Sequence, residues 1–85
     1  MKKEILRSFH LNEVCRLMDV ARIYHQTVNI SAWEETGNIV EYNGWYVSSS
    51  TWVKGWHRLL NPTNGQIRTV PDIYIFKFNG HPVHL

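Results

Sequence analysis

Residues 38–49, "NIVEYNGWYVSS", decide how the chain is read. Asn43-Gly44 sits between two runs rich in β-branched and aromatic residues. Both members of an Asn-Gly pair accept positive φ, as a type I′ turn requires, and that turn matches the twist of paired strands. With Asn43-Gly44 as a two-residue loop, Tyr42 faces Trp45 and Val40 faces Val47. Those four side chains share one face, while Ile39, Glu41, Tyr46 and Ser48 share the other. The spacing therefore predicts a hairpin centred on Asn43-Gly44.

The same dipeptide recurs at Asn64-Gly65 and Asn79-Gly80. Around Asn79-Gly80 a two-residue loop brings Phe78 opposite His81, Phe76 opposite Val83 and Tyr74 opposite Leu85. "LLNPTNGQIRTV", residues 59–70, reads as a hairpin with a longer loop joining 57–60 to 66–70. Pro71-Asp72 turns into "IYIFKF", residues 73–78, which is apolar on both faces except at Lys77 and suits a central strand. Pro82 lacks an N–H, so the last strand belongs at a sheet edge or a barrel seam.

Upstream the period changes. Leu11, Val14, Leu17, Met18, Ala21 and Tyr24 recur at three and four residues, which makes one stripe on a helix. Glu13, Arg16, Asp19 and Arg22 fall on the solvated side, and Ser8 or Asn12 is available as a cap. The β-branched cluster at 27–30 stops the helix near His25. "SAWEETGN", residues 31–38, has the Ser31/Glu34 spacing of a capping box and reads as a short helical turn. Its alternative is a strand ending at a Thr-Gly-Asn turn. Residues 50–60 fit a strand bent at Gly55 or, at Trp52, Val53, Trp56, Leu59 and Leu60, a helix. The expected fold is α+β in a single domain, 1–85. A helical segment over 1–26 precedes about five antiparallel strands over 38–85, forming a bent sheet or small barrel.

With 85 residues the margin of stability is thin, because a chain this short removes only about 60–65 % of its unfolded surface from water. Cys15 is the single cysteine, which excludes an internal disulfide and fits a reducing compartment. Arg7, His10, Asn12 and Glu13 interrupt any secretory apolar core, and no apolar run approaches the roughly 18 residues of a membrane span. A cytoplasmic location is expected. Net charge is +2, with no Lys or Arg between residues 26 and 50 and three acids there, Glu34, Glu35 and Glu41. Basic flanks around an acidic middle attract a polyanion or orient subunits against each other.

The helix-plus-five-strand pattern resembles the Sm-like and SH3-like barrels. "NGQIRTV", residues 64–70, is similar to the Gly-x-x-Arg hairpin of small Sm/SH3-like proteins encoded by bacteriophages and Bacteroides-type bacteria. The resemblance implies an accessory barrel without catalysis that contacts nucleic acid or protein, with Arg68 as a surface contact.

The chemistry-bearing residues favour binding over catalysis. Cys15 adjoins the apolar stripe and reads as a small hydrophobe. His81 and His84 point to opposite faces of a strand, and no zinc-ligand spacing occurs, so no metal or other cofactor is assigned. Nor is a small-molecule substrate inferred. Trp52, Lys54, Trp56 and Arg58 alternate, and on a regular strand all four share one face. Sheets that bind single-stranded nucleic acid expose rings beside cations in this way. The expectation is a non-enzymatic binding protein that meets nucleic acid through Trp52, Lys54, Trp56, Arg58, Arg68 and Lys77. The rival is a protein-interaction or assembly subunit, in which the helix stripe and the edge strand at 81–85 bury against a second copy or a host protein.

Overall fold

A computed structural model describes residues 8–51 and 55–85. Its elements run in the order β1 (Phe9–His10), α1 (Leu11–Ile23), β2 (Thr27–Trp33), β3 (Ile39–Thr51), β4 (Trp56–Leu60), β5 (Ile67–Pro71), a 3₁₀ turn (Asp72–Tyr74), β6 (Ile75–Phe78) and β7 (His81–His84). Among the described residues the seven strands form one open sheet, ordered β1-β7-β6-β2-β3-β4-β5. The α+β class holds; the sheet does not close into a barrel. β5 ends the sheet on one side, and the two-residue β1 ends it on the other, parallel to β7, so the last strand lies inside the sheet and not at the expected edge.

The helix begins where the His10 ring takes over as cap. Its Nδ1 accepts from the Asn12 N–H at 3.0 Å, in place of the expected Ser8 or Asn12 side chain. It ends in a Schellman motif: Gln26 N–H donates to Ala21 C=O, and His25 N–H to Arg22 C=O. His25 carries the left-handed φ of 54° that this motif needs. Val14, Met18 and Ala21 are buried along one stripe and meet Val28, Ile30, Leu59 and Phe78 of the sheet. Burying a side chain such as Met18 contributes about 1.5–3 kcal/mol.

The segment that decided the reading is one long strand. Asn43-Gly44 lies inside β3, and β3 pairs with β2 on one side and β4 on the other. Val28 pairs with Trp45 and Asn29 with Asn43, so Gly44 is an extra residue, a β-bulge. The left-handed φ of 70° that Asn-Gly favours is used at Gly44, but for a bulge and not a turn. Asn29 supplies the partner: its side-chain oxygen accepts from the Gly44 N–H at 2.8 Å. A bulge restores the same parity a two-residue loop would give, so Val40, Tyr42, Trp45 and Val47 still share the helix-facing side.

The β2–β3 connection is a tight turn over 34–38, in which Glu34 N–H donates to Asn38 C=O and Gly37 N–H to Glu34 C=O. The strand alternative for "SAWEETGN" is therefore the observed one, and the helical turn is not formed. β2 itself, outside the expected 38–85 sheet, fills the sheet's middle position. The Asn79-Gly80 hairpin has the expected register, with Phe78 opposite His81 and Lys77 opposite Pro82. Tyr74 leaves that ladder because Asp72–Tyr74 coils into the 3₁₀ turn. The Asn64-Gly65 loop joins β4 to β5 as expected, closed by Asn61 N–H to Gln66 C=O at 2.8 Å.

Candidate functional site: a concave aromatic groove and a buried polar cluster

Of the residues expected to contact nucleic acid, Trp56, Arg58, Arg68 and Lys77 are described. Trp52 and Lys54 lie outside the described residues. β4 begins at Trp56, directly after Gly55 at φ 81°. Trp56 and Arg58 do share a face: the guanidinium lies 5.4 Å from the Trp56 ring centre. Leu59, fully buried, pairs with Arg68, whereas Arg58 pairs with Thr69. Arg68 therefore points to the helix side and Arg58 to the opposite, outer side. Lys77 is on β6, beyond β2 and β3, in a shallow depression shared with Glu41.

Arg68 instead lines a concave groove of about 610 Å³. That volume falls in the range of roughly 300–1,000 Å³ typical of ligand sites. Trp33, Tyr42, Trp45 and Tyr74 supply its aromatic walls, Pro71 and Val70 its edge along β5, and Glu34 and Glu35 its acidic end. The rings brace one another. Tyr42 and Trp45 meet edge to face at 5.0 Å, and Trp33 leans on Phe76 at 5.4 Å. Such pairs fix ring orientation before any ligand arrives. Burial pushes the Tyr42 phenol up; Glu34 pushes it further and Arg68 opposes, so both charges act on the groove. Three of the four tryptophans are described, and none is fully buried: Trp33 is 46 % exposed, and Trp45 and Trp56 are half-buried. Aliphatic side chains with Met18, Tyr42 and Phe78 fill the core, and Trp45 packs against it.

A second constellation was not visible in the sequence. Beneath α1, His57 is fully buried, and its Nδ1 lies 2.6 Å from Asp72 Oδ1. Cys15 donates its thiol to Asp72 Oδ2 at 3.4 Å. Asp19, one helical turn after Cys15, places Oδ1 3.5 Å from His57 Nε2. Asp19 thus faces inward and not only the solvated side of α1. The parity of β4 is the signal that was available, since His57 shares a face with Leu59. The approach of Asp72 depends on the 3₁₀ turn, which no local pattern announces.

The cluster favours the thiol over the thiolate, because the carboxylate that accepts from Cys15 repels a second negative charge beside it. Burial, reinforced by Asp72, pushes the thiol up to about 12. At pH 8 the thiolate fraction is then on the order of 10⁻⁴. Iodoacetamide should accordingly label Cys15 at least tenfold more slowly in the native protein than in urea, as followed by mass spectrometry. Equal rates would place the thiol in solvent.

No protein family, curated protein or solved structure matches the chain. Among the described residues no helix is long and apolar enough to cross a membrane.

Proposed function

We propose that the protein is a non-enzymatic binding module that takes an extended, basic peptide segment of another protein along β5 and the aromatic groove. The observation that carries this reading is the groove itself: four aromatic rings, of which Trp33, Tyr42 and Trp45 are braced, with Glu34 and Glu35 at one end. β5 strengthens it. As the terminal strand of the sheet it has one edge unpaired among the described residues, and Gln66, Arg68, Thr69, Val70 and Pro71 line the groove from the strand or beside it. An extended chain adds to such an edge through main-chain hydrogen bonds while alternate side chains enter the neighbouring groove. Apolar side chains meet the rings, and a Lys or Arg meets the two carboxylates. The acidic end disfavours a phosphate backbone at the same place.

Tryptophan emission titrated with a short peptide alternating valine and arginine should change saturably. The same peptide with glutamate for arginine should bind more weakly. Trp33→Ala, which removes an exposed ring, should weaken binding about 10- to 30-fold. Glu34→Gln with Glu35→Gln should lower both affinity and its salt dependence.

The second reading is nucleic-acid binding through the outer face, favoured by the Arg58 guanidinium beside the half-buried Trp56 ring. Quenching by oligothymidine that falls steeply with salt and is lost in Trp56→Ala, with no response to either peptide, would replace the peptide reading by this one.

A further inference from the structure

The buried cluster has the composition and spacing of a metal site. Cys15 Sγ, a ring nitrogen of His57 and a carboxylate oxygen of Asp72 all lie within 4.8 Å of one another. They come from α1, β4 and the 3₁₀ turn, so the tertiary fold, and not chain proximity, gathers them. A thiolate, an imidazole and a carboxylate together suit zinc far better than calcium or magnesium, which prefer oxygen alone. Tetrahedral zinc with Zn–S of about 2.3 Å and Zn–O of about 2.1 Å sets S and O roughly 3.6 Å apart. The Cys15 Sγ–Asp72 Oδ2 distance is 3.4 Å. Ligand nitrogen and oxygen would sit roughly 3.4 Å apart, whereas His57 Nδ1 and Asp72 Oδ1 are at 2.6 Å and share a proton. Exchange of that proton for a metal ion requires the carboxylate to swing back by less than about 1 Å.

A second, independent feature points the same way. His57 is fully buried, yet its Nε2 has no hydrogen-bond partner among the described residues, and neither has the Asp19 Oδ1 beside it at 3.5 Å. Metal-bound histidines regularly direct their other N–H to a carboxylate, which fixes the tautomer and raises the basicity of the ligating nitrogen. Asp19 is placed for that role. A way in also exists: a cavity of about 600 Å³ is lined by Cys15, Asp19 and Asp72 together with Leu11, Arg16 and Ile73.

We propose that Cys15, His57 and Asp72 bind a zinc ion, that Asp19 orients the His57 ring as a positioning residue, and that the fourth coordination position opens on this cavity. Binding releases the Cys15 thiol proton to solvent, and the proton between His57 Nδ1 and Asp72 passes to Nε2, where it is donated to Asp19, leaving a neutral imidazole ligand.

Cobalt(II) reports on such a site directly. Chelator-treated protein titrated with cobalt should develop thiolate-to-cobalt charge-transfer absorption and intense tetrahedral d–d bands that saturate at one equivalent. Zinc should then bleach both. Cys15→Ser, a near-isosteric change whose folding is checked by circular dichroism, should lose the charge-transfer band. Asp19→Asn should keep the band but weaken zinc affinity about 10- to 100-fold in competition with a chromophoric chelator. Absence of charge transfer at stoichiometric cobalt overturns the proposal, as do the weak octahedral spectrum that exposed histidines would give and a band that survives in Cys15→Ser.

Discussion

Asp72→Ala is expected to lower the free energy of unfolding by about 3–5 kcal/mol in chelator-containing buffer. His57 is fully buried, and Asp72, 4 % exposed, holds its Nδ1 at 2.6 Å. Truncation of Asp72 strands a buried imidazole nitrogen and takes the acceptor from the Cys15 thiol. Leaving buried polar groups unpaired costs more than the pair contributed net. A domain of this size has only about 5–15 kcal/mol in total, so the urea midpoint should fall by a large fraction while the m-value stays constant. The asymmetry is diagnostic. Asp72→Ala combined with His57→Leu removes both partners and should be more stable than Asp72→Ala alone. A loss below about 1 kcal/mol in the single variant would mean that the imidazole is hydrated or differently paired.

Deletion of Gly44 is expected to abolish cooperative folding. The extra residue in β3 lets Val40 and Tyr42 on one side of the bulge, and Trp45 and Val47 on the other, all face α1. Without it the strand alternates without interruption from Val40 to Val47, ahead of the second irregularity at 47–49. Either half then sends its apolar set to the outer face, because a one-residue slip inverts every side chain. Tyr42 and Val47 are both core residues, at 7 % and 4 % exposure, so neither inversion is tolerable. Gly44→Ala separates register from conformation. A Cβ there meets nothing within 4 Å, but φ is 70°, so the variant should fold with a penalty of about 1–2 kcal/mol. Deletion variants that melt cooperatively with a native near-ultraviolet spectrum would show that the bulge does not set the register.

These two cases show what local sequence encodes and what it leaves open. Asn43-Gly44 announces a left-handed backbone, and face parity follows correctly, yet a bulge and a hairpin turn make the same local demand. The choice between them lies with Asn29, whose side chain accepts from Gly44 N–H while its own N–H donates to Asn79 Oδ1 at 2.9 Å. That contact is long-range and invisible to periodicity. Asn79-Gly80 turns as expected, although β6 also pairs with β2 and β7 with β1, because Asn79 and Gly80 both take the left-handed φ of a two-residue turn, whereas at Asn43-Gly44 only Gly44 does. α1 is legible because Val14, Met18 and Ala21 repeat the helical period. The loss of barrel closure is not legible, since closure depends on strand tilt and on whether terminal strands meet. At the candidate sites, alternation separates His57 from Arg58, whereas the facing of Arg68 follows from its pairing with Leu59. Arg58, Arg68 and Lys77 lie on three different strands, so alternation within one strand does not tell which of them share a surface. The groove gathers Trp33, Tyr42, Trp45 and Tyr74 from three separate stretches, and no single stretch displays it.

The most direct test of the binding assignment is a two-dimensional ¹H–¹⁵N spectrum followed at the indole N–H resonances of Trp33, Trp45 and Trp56 during titration with the valine–arginine peptide. Shifts at Trp33 and Trp45 together with the β5 amides, and an unmoved Trp56, are the expected result. Shifts confined to Trp56, or no shift at the groove at saturating peptide, would contradict it.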